Sequence, residues 1–188
     1  MESLYRPTSL RQCFNFDDCE LNPTPKSWKK IFGVFLYTRY SMSVWLRLAQ
    51  YFWGKKHLRA PSIYGLLELI SRRMNVVLNN FDHPGDVQAG QKIIFHHPSV
   101  IFAAGVKIEP EVHVFGGVTL GRKGGGRPHI GRGARLCGHC IVLGQIRVGT
   151  RAIVAPGAVV LANVENETVV AGVPAKVLRK ARPEDYDF

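Results

Sequence analysis

Aliphatic residues recur every six positions through the second half of the chain, and this spacing constrains the fold more than any other feature. They are Val100, Val106, Val112 and Val118, then, after one double step, Ile130, Leu136, Val142, Val148, Val154 and Val160. An α-helix repeats about every 3.6 residues and a strand about every two, so neither produces this period. A triangular parallel β-helix does, because each hexapeptide forms one flat side and three complete a coil.

A mostly small residue stands four positions after nine of the ten aliphatic ones. These residues are Ala104, Pro110, Gly116, Ala134, Cys140, Ile146, Ala152, Ala158 and Val164. In a triangular coil the aliphatic side chain points into the narrow core, and the small residue fits near a corner. The sequence therefore predicts a mainly β fold, with a β-helix domain over residues 81–178 and a charged C-terminal tail over residues 179–188.

The N-terminal residues 1–80 are predicted to form a short helical region. One helical pattern is carried by Tyr37, Tyr40, Val44, Leu48 and Tyr51. A second helix is predicted to begin around Pro61. Its apolar face is expected to contain Ile63, Leu66, Leu67, Ile70, Met74 and Val77, with Glu68, Arg72 and Arg73 on the opposite face.

Positive charge is concentrated in the N-terminal region. The chain carries a net charge of +11, and residues 1–80 hold twelve Lys or Arg against five Asp or Glu, a difference of +7. Such a balance attracts phosphates, acidic polymers or an anionic membrane surface. Trp28, Trp45 and Trp53 with the neighbouring lysines are consistent with membrane-surface binding, but packed helices with solvated basic side chains are the favoured interpretation.

The beginning of the sequence contains no pattern typical of a secretory signal. The segment MESLYRPTSLRQC lacks an apolar stretch behind a basic start, and the apolar run 31–37 is too short to cross a bilayer. We therefore expect a cytoplasmic protein, with a peripheral contact at the inner membrane surface as an open alternative.

Three segments around the repeats carry the candidate chemistry. FDHPGDVQAGQKIIFHHPSVIF precedes them, GGVTLGRKGGGRPHIGRG interrupts them, and VVAGVPAKVLRKAR closes them. In this order they resemble the serine acetyltransferase and polysaccharide O-acetyltransferase branch of the hexapeptide-repeat acetyltransferases, over roughly Phe81 to Lys176. The resemblance implies a left-handed β-helix, a homotrimer with active sites between neighbouring prisms, and transfer of acetyl from acetyl-CoA to a hydroxyl without a metal.

The same resemblance assigns roles to individual residues. It makes His97 the general base, a task suited to imidazole because its ordinary pKa lies near about 6.5. It places the carboxylate that orients His97 on Asp82, with Asp86 as the alternative. His96, Arg127 and His129 are the residues expected to meet the acceptor.

The CoA groove needs close backbone approach along the pantetheine arm and positive charge at the phosphates. By family position its border is expected to consist of Gly121, Arg122, Gly138, Pro156, Gly172 and Lys176. Arg179 and Lys180 are candidates to reach the phosphates.

The acceptor is predicted to be a saccharide from capsule, exopolysaccharide or lipopolysaccharide biosynthesis, acidic or lipid-linked. Arg127 stands where the serine enzymes carry a second histidine, and the helical region is shorter than theirs. Serine O-acetyltransferase is the alternative within the class. A non-catalytic β-helix scaffold that binds an acidic polymer is the alternative from another class, and nucleic acid is not an expected partner.

Two other chemistries are disfavoured. Cys137-Gly138-His139-Cys140 spells a CGHC redox motif, but Cys140 occupies a repeat position predicted to point inward. Zinc shared with Cys13 and Cys19 is not expected, because nothing places those segments together. The β-helix carbonic anhydrases use two histidines five residues apart, and no such pair occurs among the seven histidines.

Overall fold

The computed structural model describes residues 38–55 and 61–187. The predictions for residues 1–26, for Trp28 with Lys29 and Lys30, and for Cys13 and Cys19 lie outside the described residues.

Two helices lead into a parallel β-helix. The helices are α1 (Thr38–Lys55) and α2 (Pro61–Asn79). The strands are β1 (Phe81–Asp82), β2 (Gln88–Ala89), β3 (Ile94–Phe95), β4 (Val100–Phe102), β5 (Lys107–Ile108), β6 (His113–Val114), β7 (Thr119–Gly121), β8 (His129–Ile130), β9 (Arg135–Leu136), β10 (Ile141–Leu143), β11 (Arg147–Val148), β12 (Ile153–Val154), β13 (Val159–Val160), β14 (Thr168–Ala171) and β15 (Lys176–Lys180). A 3₁₀ helix (Pro183–Tyr186) follows.

The strands stack into the three sides of a prism. Sheet A contains β1, β4, β7, β10 and β13 in spatial order, sheet B contains β2, β5, β8 and β11, and sheet C contains β3, β6, β9, β12, β14 and β15. All strand pairs are parallel except β14 with β15, which are antiparallel. The prediction of a left-handed parallel β-helix is confirmed, with about five turns. We name its edges the A–B, B–C and C–A corners.

On each flat side two side chains point into the core, whereas the sequence predicted one aliphatic side chain. In β4, Val100 and Phe102 are buried on either side of the exposed Ile101. This follows from the two-residue period of a strand, which directs alternate side chains to the same face. All ten predicted core aliphatic residues are buried, so the predicted interior is confirmed.

The repeat phase predicted across the interruption is wrong. In the observed register Val142 pairs with Leu120, not with a residue in the frame of Val118, and Ile130 pairs with Ile108. Val118 instead occupies the inward position that Cys140 occupies one coil later. The excursion at residues 122–127 adds four residues to the usual step of six, so the corresponding inward residues Leu120 and Ile130 are ten positions apart. Counted from Val118, two positions before Leu120, the same interval is twelve and resembles a double step. Small residues predicted for the first coils, such as Ala104, are consequently only half-buried.

Helix α1 covers the open end of the first coil with polar side chains. Arg47, fully buried, donates to the carbonyl oxygen of Ala89 at 2.6 Å and also to that of Gly90. Gln50 donates to the carbonyl oxygen of Val87 at 2.8 Å. These carbonyls have no coil beneath them to supply an N–H donor, and burying them unpaired would cost free energy. The helix therefore closes the edge of the prism.

The apolar face predicted for α2 is not the face that the helix buries. Its buried face is the polar one, formed by Glu68, Ser71, Asn75 and Asn79. Asn75 donates to the carbonyl oxygen of Met42 at 3.1 Å, and Asn79 accepts from the Ser41 hydroxyl at 2.6 Å. The interface between the helices thus contains these hydrogen bonds as well as the stacked rings of Phe52 and Tyr64. The predicted apolar face includes exposed residues, with Val77 77% exposed. Neither described helix is long and apolar enough to span a bilayer.

The C-terminal tail packs on sheet C. The Tyr186 ring lies against two guanidinium groups, with its centroid 4.2 Å from Arg151 Cζ and 5.2 Å from Arg135 Cζ. Its hydroxyl donates to the carbonyl oxygen of Arg151 at 2.5 Å. These contacts stabilise the last turn of the chain against the prism.

We expect Val148→Asp to prevent stable folding, while Gln145→Asp, three residues earlier, is tolerated. Val148 is fully buried in the coil, whereas Gln145 is exposed. An unpaired buried carboxylate should lower the free energy of unfolding by about 3–5 kcal/mol. Urea titration of both variants measures this, and equal midpoints for the two would contradict the observed register.

A second prediction concerns His83, which is fully buried beside Asn75. Burial lowers its pKa from 6.5 to about 3, so below pH 6.5 the unfolded chain binds a proton that the folded chain does not. Stability should therefore fall with decreasing pH between 6.5 and 3, by up to about 1.4 kcal/mol per pH unit. His83→Gln should reduce this slope in denaturant titrations. An identical slope in the variant would remove His83 as its source.

Candidate active site

The C–A corner turns the chain through a left-handed backbone conformation in every coil. Residues with positive φ stack there at Asn80, Ser99, Gly117, His139 and Gly157. Backbone hydrogen bonds join successive levels, such as His139 N–H to the carbonyl oxygen of Gly116 at 2.9 Å. Glycine and asparagine suit this conformation because it crowds a Cβ atom.

One level of this corner contains an extra residue. Three residues separate the last inward residue of sheet C, Val114, from the first of sheet A, Val118, whereas four residues separate Phe95 from Val100. A single inserted residue makes a local bulge, a device that commonly redirects a side chain next to an active site. The inserted level carries His97, whose side chain is exposed.

A groove of about 420 Å³ opens at this bulge. It is lined by His97, Pro98, Ser99, Phe115, Gly116, Gly117, Gly138 and His139. Glycine lies directly above His97: a Cβ at position 116 would stand 3.0 Å from His97 Cβ and 3.0 Å from the Pro98 carbonyl oxygen. The absence of side chains at Gly116 and Gly138 keeps the groove open.

His96 points along sheet C and is not itself part of the groove lining. Its ring stacks on Phe115 with centroids 4.1 Å apart, and its Nε2 lies 3.0 Å from His113 Nδ1. These contacts hold His96 in place beside the bulge. Its predicted role at the acceptor stays a prediction.

The two candidate partners of His97 lie at opposite ends of one side of the prism. Asp82 is exposed in β1, two residues beyond Asn80 of the C–A corner. Asp86 lies at the A–B corner, with one carboxylate oxygen buried. Asp82 is therefore the candidate on the His97 side, although no hydrogen bond joins it to His97 within the described residues.

The residues predicted to border CoA divide between two corners. Gly138, Pro156 and Gly172 continue the C–A corner upward from His97, and Gly157 donates to the carbonyl oxygen of Gly138 at 3.0 Å. Gly121 and Arg122 lie at the A–B corner, where the Leu143 side chain covers Gly121. Within one chain, only the first set continues the groove.

The cations at the C-terminus differ in how they are engaged. Lys176 is exposed at the start of β15. Arg179 pairs with both carboxylate oxygens of Asp185 at 2.6 and 2.7 Å, which raises the pKa of Arg179 and lowers that of Asp185. Lys180 lies 3.2 Å from Glu165. Arg179 and Lys180 would have to exchange these partners to reach a phosphate.

Arg127 and His129 also lie away from His97. The Arg127 side chain covers Gly105 at the A–B corner, and a Cβ there would stand 2.9 Å from Arg127 Cδ. His129 Nε2 lies 2.8 Å from Glu109 Oε1 on sheet B. Burial lowers the pKa of His129, although Glu109 opposes this effect. Within one chain these residues do not join the groove of His97.

Sequence reasoning missed His139 as a groove residue. The CGHC pattern drew attention to the cysteines instead, and burial raises the pKa of Cys140 to about 12 and also that of Cys137. Both thiols are thereby kept protonated at neutral pH, which disfavours redox chemistry. A signal for His139 was present: it stands one residue before the inward position in a repeat, as Gly117 and Gly157 do.

Comparison with known proteins points to one group of enzymes. The chain is 32% identical over 147 residues to a serine acetyltransferase of Buchnera aphidicola (from Acyrthosiphon pisum), which covers 74% of this chain and 51% of that protein. It is 38% identical over 122 residues to serine acetyltransferase 2 of Arabidopsis thaliana, covering 62% of this chain and 37% of that protein. The chain thus spans about half the length of these curated relatives or less. No family model matches the chain.

A solved structure shares the fold. A serine acetyltransferase in complex with CoA superimposes with a TM-score of 0.71 at 24% identity, covering 90% of this chain and 68% of that one. The matched part of this chain is larger than the β-helix alone.

Proposed function

This chain belongs to the hexapeptide-repeat acetyltransferase family, and from that premise we propose that it transfers acetyl from acetyl-CoA to the hydroxyl of serine. The observation that carries the proposal is the position of His97, exposed on an inserted corner residue beside a glycine-lined groove. The names of the curated relatives support serine as the acceptor. The saccharide acceptor expected from the sequence finds no support among them.

The proposed reaction needs a base at the acceptor hydroxyl. His97 accepts the hydroxyl proton as the serine oxygen forms a bond to the carbonyl carbon of the thioester. The resulting oxyanion then re-forms the carbonyl, the carbon–sulfur bond breaks, and the CoA sulfur takes the proton from His97. Imidazole suits both transfers because it gains and loses a proton near neutral pH.

The upper C–A corner is the proposed path of the pantetheine arm. Position 138 is open, since a Cβ there would meet only the Gly116 carbonyl oxygen at 3.5 Å. Backbone N–H and carbonyl groups at such a corner are accessible to an extended amide-containing chain. In this arrangement the thioester ends at the Gly116–Gly117 step, next to His97.

A homotrimer would bring the second set of predicted residues to the groove. Gly121, Arg122 and Arg127 share the A–B corner, which in a threefold arrangement of prisms can face the C–A corner of a neighbour. This places a cationic loop from one protomer beside His97 of the next. The proposal thereby gives Arg127 a part at the acceptor that it does not have within one chain.

Replacing His97 by Ala should abolish turnover while leaving CoA binding and oligomeric state nearly unchanged. The side chain is exposed and its removal opens no cavity in the core. Loss of general-base help should lower kcat by about 10²–10⁴-fold. Steady-state kinetics with calorimetric measurement of CoA binding test this, and a variant that keeps most of its kcat would exclude His97 as the base.

The acceptor is tested by comparing kcat/KM for serine with values for a panel of acidic and neutral glycans. Serine should reach at least about 10⁴ M⁻¹s⁻¹, the lower part of the usual range for a natural substrate. A glycan acetylated much faster than serine would overturn the proposed acceptor. Repeating the assay at high salt identifies any contribution from the N-terminal positive charge, because salt screens exposed charges.

A further inference from the structure

His139 shares the groove with His97, although the proposed mechanism gives it no task. Its ring reaches down over Gly117, where a Cβ would stand 2.8 Å from His139 Cγ. His97 lies close to Gly116 from the coil below, since a Cβ at position 116 would stand 3.0 Å from His97 Cβ. The side chains therefore approach the Gly116–Gly117 step from the coils on either side of it.

The backbone at His139 adopts a conformation that suits glycine better than histidine. Its φ is 59°, and the equivalent corner residues one coil below and one coil above are Gly117 and Gly157. A non-glycine residue in the left-handed region costs free energy, and six other non-glycine residues of the described chain also adopt this conformation. The His139 side chain thus lies inside the groove although its backbone conformation costs free energy.

We propose that His139 is a catalytic residue that donates its ring N–H to the carbonyl oxygen of the acetyl group as that oxygen becomes negative. The inference rests on the proposed function, which places the thioester at the Gly116–Gly117 step. When the serine oxygen bonds to the carbonyl carbon, the electron pair of the carbonyl π bond moves onto oxygen. His139 stabilises that charge until the pair re-forms the carbonyl and the CoA sulfur leaves.

The position of His139 favours the thioester over the acceptor as its partner. His139 follows Gly138 directly and stands on the level from which the pantetheine arm would arrive. His97 stands at the opposite end of the groove, where the hydroxyl must be deprotonated. A donor and a base on opposite sides of the carbonyl carbon match the charges that develop in acyl transfer, and a fixed donor at the oxygen is effective because it needs no reorganisation.

The test compares His139→Gly with His139→Gln. Removing one hydrogen-bond donor to such an oxyanion lowers kcat by about 10²–10³-fold. KM for serine and for acetyl-CoA should change less than about threefold, because the lost interaction forms only in the transition state. His139→Gln should regain part of the lost kcat, since its amide also donates N–H.

Lys92→Gly is the matched control. Lys92 is exposed at the B–C corner with φ of 57°, so glycine relieves the same backbone conformation away from the groove. Both glycine variants should melt at or above the temperature of the parent protein, and only the one at 139 should lose activity.

Three results would overturn the inference. An active parent protein with an equally active His139→Gly variant would remove His139 from the reaction and leave the proposed function intact. A rise in KM for acetyl-CoA at constant kcat would make His139 a ground-state contact of the co-substrate. A parent protein that transfers no acetyl to any acceptor would overturn the proposed function together with the inference.

Discussion

The narrow interior of the coil is the constraint on which the rest of the structure depends. Each flat side has room for two inward residues, so Val100 and Phe102, or Val106 and Ile108, fill one side and leave only short turns between sides. The interior is filled by apolar side chains, with the neutral His83 at the closed end, so polar chemistry is found at the corners and outer faces. The corner level that carries His97 departs from the repeat by one inserted residue.

Closing the first coil is the second requirement, and it explains the helices. A parallel β-helix ends in a row of backbone groups without a partner, which must be paired or covered. Arg47 and Gln50 supply side-chain donors to the carbonyls of Val87, Ala89 and Gly90. Polar side chains of both helices are therefore buried at this end of the prism, beside the apolar Met42 and Leu46 of α1.

The candidate site depends on missing side chains as much as on those present. The groove contains backbone without side chains at Gly116, Gly117 and Gly138, and the imidazoles of His97 and His139 line it. The residues expected from family position at the other corner are separated from this groove within one chain. A neighbouring protomer of the proposed trimer would reunite them, which ties activity to assembly.

The sequence by itself determined the prism and its interior, and its resemblance to a known family singled out His97 as the candidate base. A six-residue period has one structural solution, and buried aliphatic residues reveal it without knowledge of any long-range contact. Only the tertiary structure decided the register across residues 122–127, the inward polar face of α2 and the place of His139. Each of these depends on partners distant in the chain: Leu120 beneath Val142, Ser41 beside Asn79, and Gly117 beneath His139. Local periodicity contains no information about such pairings, because stacking of coils and docking of helices select them.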